Sequence, residues 1–187
     1  MNFPVHTPQS APSEAKDTLD KVIQAWGFLP NLGAVIAESP AALELLWVGY
    51  AALTSKGTLT AAEQQLIAVA ASRENQCAYC VAAHSTMALG AKLAPDVLRA
   101  VRGGQATTDR KLAALRLVAE RLVRQRGALS PTEQQDFVDA GYTRGQLLEV
   151  IGWVAIKTLT NYVNHVAETP VDDQWLGQAW SVSEEKH

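Results

Sequence analysis

Three short runs, Thr60-Ala61-Ala62-Glu63, Ser130-Pro131-Thr132-Glu133 and Thr143-Arg144-Gly145-Gln146, repeat one pattern: a hydroxyl residue followed three positions later by Glu or Gln. This is the capping box. The hydroxyl accepts from the later residue's backbone N–H, and the later side chain reaches back to the first residue's own N–H. Only a helix start leaves those donors orphaned, so each box marks where a helix begins. The remaining punctuation is also helical. Leu19, Val22, Ile23 and Trp26 make an apolar stripe that stops at Gly27, and Ser39-Pro40 reads as N-cap and first-turn proline of a helix carrying Leu43, Leu46, Trp47 and Tyr50. A helix over about 76 to 89 stops at Gly90, another over Pro95 to Val101 ends at Gly103-Gly104, and a long one from about Thr108 to Arg126 turns Leu112, Leu115, Val118, Ala119 and Leu122 inward. Its Arg116, Arg121 and Arg124 read as a solvated face.

The helix opened by Thr143 carries Leu147, Leu148, Val150, Ile151, Val154 and Ile156 and is apolar nearly all round, which suits the centre of a core or a subunit interface. The expected architecture is one all-α domain over residues 14–170. It is preceded by a mobile arm, 1–13, and followed by a polar tail, 171–187, whose Trp175 and Trp180 dock on this or a neighbouring subunit. With 187 residues there is enough chain for one core, and 48% hydrophobic content excludes wholesale disorder. A net charge of -3 gives no electrostatic case for nucleic acid. No uninterrupted apolar run reaches the roughly 18 residues of a membrane span, and Met1 to His6 show no basic region leading into an apolar stretch, so a cytoplasmic location is expected.

The chemistry is concentrated in Glu74-Asn75-Gln76-Cys77-Ala78-Tyr79-Cys80-Val81-Ala82-Ala83-His84, which holds the only two cysteines of the chain. On a helix, Cys77, Cys80 and His84 share one face, and Glu74 extends the same stripe. A free thiol titrates near about 8.5, so at neutral pH little of it is the reactive thiolate. His84, one turn beyond Cys80, can take its proton or hold the thiolate as imidazolium. Residues three apart lie about 5–6 Å apart at Cβ, close enough for a Cys77–Cys80 disulfide after a small adjustment, so one thiol can attack and the other resolve. The same three residues could ligate zinc. However, three ligands from two turns of one helix converge poorly and no distant second half follows, so neither metal nor cofactor is expected.

At Cys77, Cys80 and His84, with Asn75, Tyr79, Ala83 and Ser85 around them, the chain resembles the alkylhydroperoxidase D (AhpD)-like, carboxymuconolactone decarboxylase superfamily, in its peroxidase-related branch. The resemblance extends through 59–68, Gly27-Phe28-Leu29-Pro30-Asn31 and Asn161-Tyr162-Val163-Asn164-His165. It implies a single-domain helical bundle of the AhpD type. It also implies that Cys80 attacks a small hydroperoxide to become a sulfenic acid, that Cys77 resolves it as a disulfide, and that His84 serves a proton relay. An external dithiol would restore the thiols, a peroxiredoxin-type activity in a homo-oligomer without nucleic acid or membrane.

One departure bears on the relay. Twelve residues before Cys77 the family often has a glutamate, and this chain has Gln65. A glutamine cannot accept a proton, so Glu63 or Glu74 would have to substitute, or His84 would act with water alone; Glu63 is also the partner residue of a capping box. His165 could reach the site from the end of a late helix, while Trp26, Trp47 and Trp153 read as core or interface anchors. Lactone decarboxylation, suggested only by the superfamily's name, would have no need of vicinal thiols. A redox sensor that keeps the fold without turnover is a third reading, and Gln65 favours it.

Overall fold

In the computed structural model, which describes residues 2–181, all three boxes are built as the sequence predicts. Thr60 Oγ1 accepts from the Glu63 N–H at 3.2 Å and Glu63 Oε2 accepts from the Thr60 N–H at 2.9 Å; Ser130 with Glu133 and Thr143 with Gln146 repeat the exchange. The helices are α1 Lys16–Trp26, α2 Asn31–Ile36, α3 Pro40–Lys56, α4 Ala61–Glu74, α5 Ala78–Gly90, α6 Pro95–Arg102, α7 Arg110–Arg124, α8 Pro131–Asp139 and α9 Arg144–Ala167. Short 3-10 turns cover Ser13–Ala15 and Asp173–Gln178, and there is no strand among the described residues. The fold is all-α.

The centre is α4. Every residue from Glu63 to Ser72 is buried, with α5, α7 and α9 packed around it. Ala68, Ala70 and Ala71 explain this placement, since small side chains let three helices approach one axis closely. The sequence suits α9 to the core centre or to a subunit interface, and the first of these places is taken by α4. One side of α9 faces inward through Val150, Trp153 and Ile156, while Leu148, Ile151, Tyr162 and Val166 are exposed. Leu45 and Val48 of α3 are exposed as well.

Helices α3 and α9 cross where each carries a glycine. A Cβ on Gly49 would lie 3.2 Å from Ile156 Cδ1, and one on Gly152 would lie 3.2 Å from Leu53 Cδ2. The close crossing presses the inner face of α9 toward α4 and α5.

Helices α4 and α5 form a tight hairpin. Asn75 caps α4, Gln76 takes a left-handed conformation at φ 57°, and the Cys77 N–H bonds to Ser72 O at 2.9 Å. As a result α5 starts later than expected: Cys77 is its N-cap, in an extended conformation, and Cys80 is its third residue. Arg116 also departs from expectation. It is buried, and its guanidinium donates to Glu120 Oε1 at 2.6 Å, because α7 packs this side against α4, whose Arg73 lies 3.9 Å from the same carboxylate, instead of turning it toward water.

Residues 2–12, expected as a mobile arm, lie along the domain, with Ala11 buried beside Leu19, Ile36 and Leu43 and His6 bonded to Glu38. The tail folds back on its own chain. Trp175 and Trp180 are buried, Arg102 donates to Gln178 O and Ala179 O, and residues 182–187 of the tail lie outside the described residues.

Glu63 also accepts from the Tyr142 hydroxyl at 2.9 Å, with the Lys111 ammonium 3.4 Å away. Glu63→Ala is therefore expected to lower stability by about 1–2 kcal/mol in urea unfolding, while the alkylation rate of Cys80 in folded protein stays unchanged. A depressed alkylation rate at unchanged stability would reverse this reading.

Candidate active site

Three helices converge on Cys80. From α5 come Cys77, Cys80 and His84, from α4 comes Gln65, and from α9 come Lys157, Thr160, Asn161 and Asn164, all of them buried. The α9 residues follow i, i+3, i+4 and i+7 spacing, which lines them up on one face. Lys157 was not anticipated. Its Nζ lies 3.8 Å from Cys80 Sγ and 2.5 Å from His84 Nε2.

The hydrogen bonds fix the roles of these groups. An ammonium can only donate, so Lys157 gives an N–H to His84 Nε2. His84 Nδ1, 2.8 Å from Gln65 Oε1, then carries the ring proton and donates it to the amide oxygen. Burial, and then the nearby Lys157 charge, hold the imidazole well below the ordinary histidine range, so His84 is neutral near pH 7. The expectation of an imidazolium beside the thiolate is thereby replaced: the fixed positive charge belongs to Lys157.

Burial alone would push the Cys80 thiol up. The hydrogen bond from Cys77, the Lys157 charge, and hydrogen bonds to Thr160 and Asn161 outweigh it and bring Cys80 down to about 5. Asn164 Nδ2 lies 3.3 Å from Cys80 Sγ and 3.6 Å from Cys77 Sγ, and Thr160 Oγ1 lies 3.7 Å from Cys80 Sγ. The first turn of α5 adds its dipole at Cys80. Cys77 moves the opposite way, raised by its hydrogen bond to Cys80, by burial and by the Cys80 charge. Near neutral pH the pair is one thiolate, on Cys80, and one thiol, on Cys77. Both are free, with no disulfide between them.

Of the residues singled out in the sequence, Cys77, Cys80 and His84 come together and Glu63, Glu74 and His165 do not. Glu63 is engaged by Thr60, Tyr142 and Lys111, and Glu74 by Arg73 and Arg124. Neither lines the cavity over Cys80. His165 is exposed, with Nε2 3.4 Å from Gln76 O. Lys157 Nζ stands between Cys80 and His84, the position a cation shared by those two ligands would take, so the residues present do not suit a metal there.

That cavity measures about 90 Å³, room for several waters or one small organic molecule. Trp26, Trp47, Tyr50, Trp175, Leu46 and Met87 form much of its wall, and Cys80, His84 and Lys157 supply its polar end. Trp175 seats against Tyr79, whose hydroxyl donates to Asp172 Oδ2 at 2.6 Å and accepts from the Leu32 N–H at 3.1 Å. The tail turn is thereby held over the cysteine pair.

Residues 40–120 match the family model described as the carboxymuconolactone decarboxylase family. The resemblance read from the motif is borne out on this match, which includes Cys77, Cys80, His84 and Gln65. A peroxidase-related protein with the alkylhydroperoxidase AhpD core from Ralstonia eutropha is similar over 93% of each chain, with 22% identity and a TM-score of 0.82. A peroxidase-related protein from a Silicibacter species is 19% identical over 95% of this chain and 94% of that one, with a TM-score of 0.77. The debrominase Bmp8, as a cysteine-to-alanine variant in complex with 2,3,4-tribromopyrrole, is 14% identical over 95% of both chains, with a TM-score of 0.79. At these identities the likeness establishes the fold, an AhpD-like helical bundle. No curated protein matches the chain.

Because the Cys80 thiol is lowered, its alkylation by iodoacetamide is expected to keep its rate as pH falls from 8.5 to 6 and to decline only as pH falls through the depressed value. A profile that already collapses near pH 8.5, measured by mass spectrometry at Cys80, would contradict the assigned charge state.

Proposed function

We propose that this protein is a thiol-dependent hydroperoxide reductase. The observation that carries the reading is a buried thiolate on Cys80, paired with Lys157 at the floor of an apolar cavity, with a protonated Cys77 thiol within reach. Thiolate sulfur attacks the terminal peroxide oxygen, forming S–O and breaking O–O. The electron pair leaves on the alkoxide or hydroxide, and Cys80 becomes a sulfenic acid. Cys77 then attacks the sulfenic sulfur, an S–S bond forms, and water leaves carrying the Cys77 proton and the sulfenic oxygen. An external dithiol restores both thiols by exchange. Cys77 at the N-cap and Cys80 three residues on suit this exchange, since these two positions face each other across the first turn.

A pair that cycles in this way needs a reducing compartment, which favours the cytoplasm; no helix among the described residues is long and apolar enough to cross a membrane. The exposed Leu45, Val48, Leu148, Tyr162 and Val166 favour a homo-oligomer.

The aromatic cavity wall favours one further reading. Because Bmp8 is a debrominase of the same fold, the two electrons of the Cys77–Cys80 pair would instead replace halogen by hydrogen on a haloaromatic ring: the Cys80 thiolate, the Cys77 thiol and the aryl halide give the disulfide, halide ion and the arene, whose new hydrogen is the Cys77 thiol proton. Lactone decarboxylation would leave this thiol pair unused.

The test is consumption of tert-butyl hydroperoxide, and separately of 2,3,4-tribromopyrrole, by purified protein with excess dithiothreitol. Peroxide turnover is expected. Cys80→Ser should abolish it, and Cys77→Ser should allow one oxidation per chain and leave a sulfenic acid trapped by dimedone on Cys80. Activity retained by Cys80→Ser, or bromide release without peroxide turnover, would reject the reductase reading.

A further inference from the structure

The cleavage step leaves an alkoxide in an apolar cavity, and an alkoxide there needs a proton at once. Six groups around the reacting sulfur carry a proton, of which the Cys77 thiol does not line the cavity and the Thr160 hydroxyl, a very weak acid, donates to Lys157 O at 3.1 Å. His84 cannot supply it: its one ring proton is committed to Gln65 Oε1, and its Nε2 accepts from Lys157. Tyr79 donates to Asp172, and its ring belongs to the anchor of the tail turn. Tyr50 lines the cavity, but its hydroxyl has Gln65 as a side-chain partner and no bond to the sulfur. Among the described residues no carboxylate lines the cavity. Lys157 remains. An ammonium has three N–H donors, and hydrogen bonds to His84 Nε2 and Cys80 Sγ account for two of them. Because Lys157 also lines the cavity, the third donor can meet a bound peroxide next to the sulfur that attacks it.

We propose that Lys157 is the acid of the reaction, giving its proton to the oxygen that leaves when Cys80 cleaves the peroxide bond. The proposal rests on the reductase reading and assigns a catalytic residue to it. The step balances as Cys80–S⁻ plus ROOH plus Lys157–NH₃⁺ giving Cys80–SOH, ROH and the neutral Lys157 amine. Sulfur loses two electrons and the peroxide gains them. Reduction of the later disulfide by a dithiol returns a thiol on Cys77, a thiolate on Cys80 and one proton, which recharges Lys157. His84 is a positioning residue in this scheme: Gln65 fixes its tautomer, and its Nε2 holds the ammonium beside the sulfur.

The experiment uses leaving groups of different basicity. Oxidation of Cys80 is followed by stopped-flow tryptophan fluorescence with tert-butyl hydroperoxide, whose alkoxide requires a proton, and with peracetic acid, whose acetate does not. The quantity read is the ratio of the two rate constants. A smaller thiolate fraction or a smaller folded fraction lowers both rates alike and leaves the ratio unmoved. Lys157→Met should lower the alkyl-to-peracid ratio by about 10²-fold or more, the size of general acid assistance. Lys157→Arg, which keeps the charge but holds its proton far more tightly, should also lower it, and Tyr50→Phe should leave it within about twofold. An unchanged ratio in Lys157→Met, with both rates reduced, overturns the proposal by making Lys157 only a counter-charge for the thiolate. A selective loss in Tyr50→Phe overturns it in favour of the phenol. Wild-type protein that reacts with neither peroxide while Cys80 still alkylates rejects the reductase reading itself, a result distinct from the other two.

Discussion

A lysine ammonium buried at the meeting of three helices is the constraint around which the site is arranged. Desolvating such a group costs several kcal/mol unless charge and hydrogen bonds compensate it. Lys157 finds one compensation in Cys80 and another in His84 Nε2. The hydrogen bond from Cys77, and then the same Lys157 pairing read from the other side, bring the thiol down against its own burial. Both groups line a cavity whose wall is mainly aromatic and aliphatic. Low local polarity there strengthens the attraction between them.

Gln65 takes on a different meaning in this setting. Lys157 contributes one positive charge, Cys80 one negative, and neutral His84 and Gln65 none, so the buried set sums to zero. A glutamate at position 65 would add a second negative charge and would favour an imidazolium, which could not accept from Lys157. The amide oxygen of Gln65 takes the Nδ1 proton and leaves Nε2 with its lone pair. Glutamine is therefore consistent with a lysine-based site, and its presence does not by itself favour the sensor reading. Glu63 and Glu74 are not needed as substitutes, which agrees with their engagement in a helix cap and an arginine pair.

Much of the helix plan was legible because its signals are local. Capping boxes at Thr60, Ser130 and Thr143, proline after Ser39, and glycine at 27 act within one turn, and each element begins or ends where they stand. The short α2 had no such marker, and the choice of α4 as the centre depended on alanines whose use is apparent only once three helices pack on them. The cysteine pair and His84 were legible for the same reason of proximity. Lys157 lies 77 residues from Cys80 along the chain, and no local pattern ties the two. A trace was nevertheless present: Lys157, Thr160, Asn161 and Asn164 form a polar stripe at helical spacing on a helix otherwise dominated by apolar residues. Reading α9 for its apolar content alone, as a core or interface helix, passed over that stripe.

Charge balance also links the resting site to the proposed reaction. When Cys80 is oxidised its negative charge disappears, and an ammonium that stayed protonated would be left buried with no anion opposite it. Transfer of the Lys157 proton to the leaving oxygen removes the positive charge in the same event, so the cavity stays neutral before and after the O–O bond breaks. The sulfenic acid, the alcohol and the neutral amine are all species that a low-polarity cavity accommodates. In the proposed reaction the asymmetry between the two thiols then sets the order of events. The lowered Cys80 thiol is present as the nucleophile, while the raised Cys77 thiol keeps its proton until the sulfenic acid forms and the Cys80 charge that helped raise it is gone. Loss of that charge makes Cys77 easier to ionise at the stage when it must attack.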